Sequence, residues 1–379
     1  MDIFPMDHKL GFGMMRLPEL PEGAPANDYA NVDLERVKAM VDRFLARGFR
    51  YFDTATMYHH NRSEQVVRAV LTSRYPRDAY DLADKFHITY LKGEDHFEGI
   101  FARQLEACGV DSFDYYLLHD IANDNLDRFE ENGIFAAALR EKERGRIRHF
   151  GFSSHDHGDF VERLLHLHPE LEFVQLQLNY TDWDSPGVDA RGTCAAAVRC
   201  GRPIVVMEPV KGGLLADVPP AAKAIFRRLA PRRSDASWAL RFAAGQENVA
   251  LVLSGMSSEE QLRDNMDCMT DFRPLDKAEQ EAVREAAAVI AQDIEIPCTG
   301  CSYCVDGCPA GIPIPRYFSL YNGWKKAADP DWSPESAYYQ RLTARQPKPE
   351  DCLGCRRCEE ICPQHLPIVE LLGRMGEMT

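Results

Sequence analysis

Apolar positions recur along this chain with two alternating periods. Short aromatic or β-branched runs read as buried strands, and longer stretches with apolar residues three and four apart read as helices. Residues 32–47 set the helical pattern. Leu34, Val37, Met40, Val41, Phe44 and Leu45 share one face, with Asp33 near the start and Gly48 as the stop. Residues 49–53 follow as a strand, Phe-Arg-Tyr-Phe-Asp, which the charge of Asp53 ends abruptly. Further strands are predicted over 79–85, 113–119, 147–152, 173–178, 203–207 and 249–253, with a shorter one inside 8–18. Helices are predicted over 62–74, 96–108, 129–144, 160–167, 193–200, 221–229, 234–244, 259–269 and 277–290. About eight strands in roughly 270 residues is the rhythm of an α/β (β/α)8 TIM barrel. A doubly wound sheet is the alternative, but no Gly-x-Gly-x-x-Gly turn follows the first strand.

The rhythm stops near Ile294, and the cysteines explain what replaces it. Cys108, Cys194, Cys200 and Cys268 are scattered and read as small buried apolar side chains. The remaining eight form Cys298-x-x-Cys301-x-x-Cys304-x-x-x-Cys308-Pro309 and its repeat Cys352-x-x-Cys355-x-x-Cys358-x-x-x-Cys362-Pro363. Two-residue gaps let three thiolates converge on one iron–sulfur cube. Zinc ribbons use paired Cys-x-x-Cys units without the third cysteine or the Cys-Pro, and a disulfide framework belongs to an oxidising compartment. The reading is two [4Fe-4S] clusters in a small, mostly helical domain. The expected division is therefore 1–290 for the barrel and 291–379 for the cluster domain. The pattern resembles bacterial two-cluster ferredoxins, in which the fourth cysteine of each run serves the other cluster. Carried over, one cluster takes Cys298, Cys301, Cys304 and Cys362, and the other Cys352, Cys355, Cys358 and Cys308. Between the repeats, residues 316–344 read as a helical, aromatic insert, and 369–374 as a short closing helix. Trp324, Trp332, Tyr338 and Tyr339 are expected to pack the small domain onto the barrel, with a docking face for a redox partner protein as the other reading.

A net charge of −15 disfavours a nucleic-acid partner. No apolar stretch approaches a membrane span, and the first nine residues lack the apolar core of a signal peptide, so the cytoplasm is the expected compartment.

Four groups stand at or just past predicted strand ends: Asp53, Tyr58, Lys85 and His119. That is where a parallel barrel presents its catalytic residues. A phenol beside an ammonium is a candidate general acid, and an imidazole can hold a carbonyl oxygen or pass a proton. Singly, each residue is as readily a solvated side chain. Jointly they suit protonation of a carbonyl oxygen as hydride reaches carbon.

The sequence resembles the aldo-keto reductase family through Gly11-Phe12-Gly13, Phe52-Asp53-Thr54-Ala55 with Tyr58, Asp84-Lys85, Leu117-Leu118-His119 and Ile147-Arg148-His149-Phe150-Gly151-Phe152-Ser153. Val174-Gln175-Leu176-Gln177-Leu178-Asn179-Tyr180, Gly212-Gly213-Leu214-Leu215 and Ser254-Gly255 with Gln261, Leu262 and Asn265 complete the match. The whole chain resembles the subgroup with a C-terminal ferredoxin-like domain. The resemblance implies Tyr58 as general acid, Lys85 lowering its pKa, Asp53 paired with the lysine, and His119 orienting substrate. It also implies a nicotinamide site. Ser153 and Gln175 (or Gln177 on the same strand face) would hold the carboxamide, and Gly212, Gly213 and Leu214 would lie along the pyrophosphate. Ser254, Gly255, Ser257, Gln261 and Asn265 would hold the adenosine end. Ser154 stands where the family has asparagine, and Met207 where it has the aromatic that stacks on the nicotinamide. Arg263 alone is placed to favour NADP(H) over NAD(H). A flavin is the alternative mediator, since clusters accept one electron and hydride carries two. The expected reaction reduces a small-molecule carbonyl or oxidises an alcohol. The competing readings are a flavin-dependent or radical reductase fed by the clusters, and a non-catalytic electron-transfer or redox-sensing subunit.

Overall fold

The computed structural model describes residues 3–5, 7–21, 24–93, 95–185, 188–325 and 334–378. Eight parallel strands close into a barrel in sequence order: β1 (Leu10–Gly13), β2 (Tyr51–Asp53), β3 (Asp81–His87), β4 (Phe113–His119), β5 (Ile147–Ser154), β6 (Phe173–Gln177), β7 (Ile204–Met207) and β8 (Val249–Gly255). The predicted TIM barrel is thus observed. The prediction that residues 129–144 form one helix is not: Leu126–Glu131 and Ile134–Glu143 are separate helices. Gly133, at φ 63°, adopts the left-handed conformation between them, which breaks the helical hydrogen-bond run.

Inward-facing side chains alternate along each strand and change chemistry along the barrel axis. At the N-terminal end Tyr51, Ala83, Tyr115, Leu117, Phe173, Val205, Leu251 and Leu253 form an apolar cluster, capped by Phe4, whose ring stacks on Tyr115 at 4.8 Å. Two residues further along, the same faces carry Asp53, Lys85, His119 and Gln175. The two-residue period therefore puts an apolar plug beneath a polar mouth. Gly151 in β5 admits the neighbouring strand, because a Cβ there would lie 2.5 Å from the Phe173 carbonyl oxygen.

By its internal contacts the chain forms two compact units. The first comprises Met1–Trp183, Asp189–Pro209 and Ala236–Asp276, and the second comprises Asp184–Val188, Val210–Asp235 and Lys277–Thr379. In the second unit, helix Pro220–Leu229 packs against helix Lys277–Asp293. Its core collects Ile296, Ile312, Ile314, Tyr317, Phe318, Tyr321, Leu366, Ile368 and Met375. Tyr339 lies inside this same core, its ring 5.6 Å from Tyr317. Trp324 meets Tyr321 at 5.7 Å, while Trp332 falls outside the described residues. No described helix is long and apolar enough to cross a membrane.

Gln104 ties the outer helix Phe97–Cys108 to the strand that carries Lys85. Its amide donates 2.8 Å to the Lys85 carbonyl and 2.9 Å to Thr56 Oγ1, and it accepts from the Tyr116 hydroxyl. Gln104→Leu strands these buried groups, and we expect a loss of about 1–3 kcal/mol of stability in urea unfolding.

Candidate active site and cluster ligands

Asp53 ends β2, Lys85 lies in β3 and His119 ends β4. The Lys85 ammonium, 1% exposed, donates 2.5 Å to Asp53 Oδ1, 2.7 Å to the Thr54 carbonyl and 3.4 Å to the Tyr58 hydroxyl. A buried ammonium is costly without a compensating charge, and Asp53 provides it. Burial pushes the Asp53 carboxyl up, while the charge of Lys85 and hydrogen bonds from Lys85 and Gln175 draw it back. Tyr58 sits in the loop after β2. His59, His60 and Asn61 follow it in consecutive left-handed conformations, at φ 49°, 52° and 64°. Three non-glycine residues held there store strain, and a bond from His59 Nε2 to the Met14 carbonyl, 2.8 Å, helps to hold the turn.

The His119 ring stands perpendicular to Tyr58, 6.1 Å between centroids, and 5.6 Å from His87. Burial first, then the charges of Lys85, His87 and His155, hold its pKa well below the usual imidazole range, so the ring is neutral. Among the described residues its Nδ1 has no hydrogen-bond partner. On the opposite sheet face, toward the outer helices, Asp84 accepts from the Lys85 amide at 2.8 Å, and burial with the charge of Glu64 raises its carboxyl well above the ordinary value.

Several of the residues expected around a nicotinamide nucleotide are held by hydrogen bonds within the protein. Ser153 Oγ accepts from the Asp120 amide at 2.9 Å, and Ser154 Oγ donates to the Ile121 carbonyl at 2.7 Å. Gln175 gives its amide to Asp53 Oδ2 at 3.1 Å and so belongs to the ion-pair network. Gln177 and Asn179 both donate to Asp182, at 2.9 and 2.7 Å. Met207 ends β7, half-buried. After β8, Asn265 donates to Ser254 Oγ at 2.8 Å, and Gln261 Oε1 accepts from the Ser257 amide at 2.8 Å. Arg16, which the sequence reading missed, covers Gly255: a Cβ there would lie 3.1 Å from that of Arg16. Its carbonyl accepts from Ser257 Oγ at 2.9 Å. Arg263 is exposed. Gly212, Gly213 and Leu214 belong to the second unit. Trp183, after β6, meets Phe242 edge-on at 5.4 Å and the Arg191 guanidinium at 5.2 Å.

The two cysteine runs share one backbone conformation. Gly300, Ser302 and Gly311 are left-handed at φ 69°, 68° and 64°, and their counterparts Gly354, Arg356 and His365 at 65°, 59° and 49°. Each run enters a one-turn helix, Tyr303–Asp306 or Arg357–Glu360, that carries its third cysteine. Such winding turns successive N–H groups inward into an anion-binding concavity, as at iron–sulfur sites. None of the 12 cysteines, all of them among the described residues, forms a disulfide.

The thiol neighbours cross between the repeats. Cys304 is raised by burial and then by Cys301, Cys298, Cys362 and Cys358. Cys358 is pushed up to about 11 by burial first, with Cys352 and Cys308 among the further causes. One cavity is lined by Cys308 together with Cys352, Cys355 and Cys358. Among the described residues no three Cys, His, Asp or Glu side chains close on a single metal ion. A cube instead takes each thiolate at its own iron. The donor set and the inward N–H groups therefore fit two cubes.

The sequence profile described as "Aldo/keto reductase family" matches residues 9–288, and that described as "4Fe-4S dicluster domain" matches 297–367. An uncharacterized oxidoreductase, YqkF, of Bacillus subtilis is 25% identical over 284 residues, covering 68% of this chain and 89% of its own. Among solved structures, an aldo-keto reductase from Klebsiella pneumoniae in complex with NADPH superposes with a TM-score of 0.58 at 18% identity, over 73% of this chain and 90% of that one. A thermostable aldo-keto reductase in complex with epalrestat gives the same score and identity, over 73% and 94%. The chain thus belongs to the aldo/keto reductase family, an oxidoreductase whose barrel is followed by a 4Fe-4S dicluster domain.

Proposed function

We propose that the protein reduces a small carbonyl compound, or oxidises the corresponding alcohol, with NADP(H) in the barrel, and exchanges electrons through two [4Fe-4S] clusters. The observation that carries this reading is Lys85 bonded at once to Asp53 and to the Tyr58 hydroxyl. The working division falls between residues 1–290 and 291–379, in line with the two profile matches.

A bound nicotinamide supplies a hydride, and bound clusters supply single electrons. The chain supplies the rest. Tyr58 donates its proton to the carbonyl oxygen as hydride reaches the carbon. The Lys85 ammonium balances the charge left on the phenol oxygen, and Asp53 fixes that ammonium in place. Neutral His119 donates a hydrogen bond to the same substrate oxygen. Ser153, Met207, Ser254, Gly255, Ser257, Gln261 and Asn265 would hold the nucleotide. Gln175 acts on Asp53. In the cluster domain, Cys298, Cys301, Cys304 and Cys362 would hold one cube, and Cys352, Cys355, Cys358 and Cys308 the other.

Three outcomes are expected. In anaerobic, iron-reconstituted protein, NADPH bleaches the visible cluster absorbance. Bleaching by dithionite alone would refute the nucleotide route and turn attention to a flavin or a partner protein. Tyr58→Phe lowers kcat for carbonyl reduction by about 10²–10⁴-fold while cluster content stays unchanged; full activity in this variant would remove Tyr58 as the acid. The third concerns pH. His119 has a folded pKa below its unfolded value of about 6.5, so the unfolded chain takes the proton first. Its contribution to stability is complete above about pH 6.5 and falls on acidification toward the folded value. His119→Gln should flatten the decline in urea-unfolding stability below about pH 6.5, leaving the part due to His59 and His87.

A further inference from the structure

Lys211 is a lysine where the backbone favours glycine. It adopts φ 47° at the head of a Lys-Gly-Gly turn, followed by Gly212 at 64° and Gly213 at 104°. A non-glycine residue is costly there, and its side chain is 4% exposed. Its ammonium donates 3.2 Å to Gln364 Oε1. Gln364 lies two residues after Cys362 and gives its own backbone N–H to the Cys362 sulfur. Gly212 presses on the loop between Cys298 and Cys301, since a Cβ there would lie 2.1 Å from the Thr299 carbonyl oxygen. One turn therefore touches both chain segments that deliver the ligands of the first cube.

The other repeat is built differently at the matching point. The residue two beyond Cys308 is Ala310, which has no side-chain oxygen to receive a lysine. In the second run Arg356 is mostly exposed and pairs with Glu359 at 2.8 Å. Two loops of one backbone shape thus carry different charge: a buried cation linked through Gln364 to Cys362, against an alanine and a solvent-facing ion pair.

Cluster potentials follow net charge and hydrogen bonding at the sulfurs, and a buried cation favours the more negative, reduced state. We propose that Lys211 is a positioning residue for the cluster held by Cys298, Cys301, Cys304 and Cys362, raising its reduction potential so that it is reduced before its neighbour. The inference rests on the ligand sets given above.

The test is an EPR-monitored potentiometric titration of full-length, reconstituted protein, with iron and sulfide assayed on each sample. Lys211→Gln keeps a hydrogen-bond donor but loses the charge; Lys211→Arg keeps the charge. In Lys211→Gln one of the two midpoint potentials should fall by at least a tenfold change in its reduction equilibrium, 59 mV for one electron. Lys211→Arg should stay near the wild-type value. A Cys355→Ala variant, which removes a ligand of the other cube, identifies that cube's signal, and this signal should not be the one that moves. Unchanged potentials in a fully loaded Lys211→Gln protein would overturn the proposal and leave Lys211 a mechanical clamp. A shift confined to the Cys355-dependent signal would overturn it equally. Should Lys211→Gln lose its clusters, Lys211→Met and Lys211→Arg decide: loss in both makes the role structural, whereas a loaded arginine variant with wild-type potentials supports the charge. Failure of the wild-type protein to bind two clusters' worth of iron would instead refute the ligand sets themselves.

Discussion

The Lys85 ammonium is withdrawn from water and held by three oxygens drawn from β2 and the loop behind it. Its partners explain much of the surrounding architecture. Asp53 must end its strand there, because a carboxylate one residue earlier would face the other side of the sheet. Gln175 reaches across from β6 to share Asp53, and the strained His59–Asn61 turn keeps Tyr58 within reach of the same ammonium. Below, Gln104 anchors the Lys85 backbone from an outer helix. A single buried charge thus fixes a strand end, a loop and a helix face.

What the sequence made legible follows from how far each signal reaches. Strand and helix alternation is local, so the barrel could be read from it, and the inward positions followed from the two-residue period. Asp53 and His119 were visible because a polar group that ends an apolar run is itself a local event, whereas Lys85 stands two residues before the end of β3. Gln104 was hidden because its partner carbonyl belongs to a residue 19 positions away, and Lys211 because Gln364 lies 153 positions away. Arg16 was hidden because its role is to cover Gly255, a contact made only when β1 pairs with β8. The helix expected across Asn132-Gly133 failed for a different reason. Apolar spacing continues through that point, but Gly133 takes a left-handed conformation that spacing does not encode.

The cysteine repeats separate shape from tuning. Left-handed residues recur at three matched positions, and only three of the six are glycine. Backbone winding is therefore retained even where a side chain makes it costly, as at Arg356 and His365, because the winding turns the N–H groups toward the sulfurs. Residues between the cysteines are free to differ, and they do: Gln364 against Ala310, buried Thr299 against exposed Leu353.

That freedom bears on a mismatch inherent in joining these two halves. Carbonyl reduction by hydride moves two electrons at once, whereas a [4Fe-4S] cube passes one. Two cubes in identical surroundings would share an incoming electron evenly and give it no direction. Loops of equal shape with unequal charge remove that degeneracy without altering ligand geometry. Cysteine spacing fixes how many electrons the tail can hold, and the non-cysteine residues beside it fix their order. A lysine kept in a glycine conformation, on a turn contributed from outside the cysteine motifs, supplies such a difference.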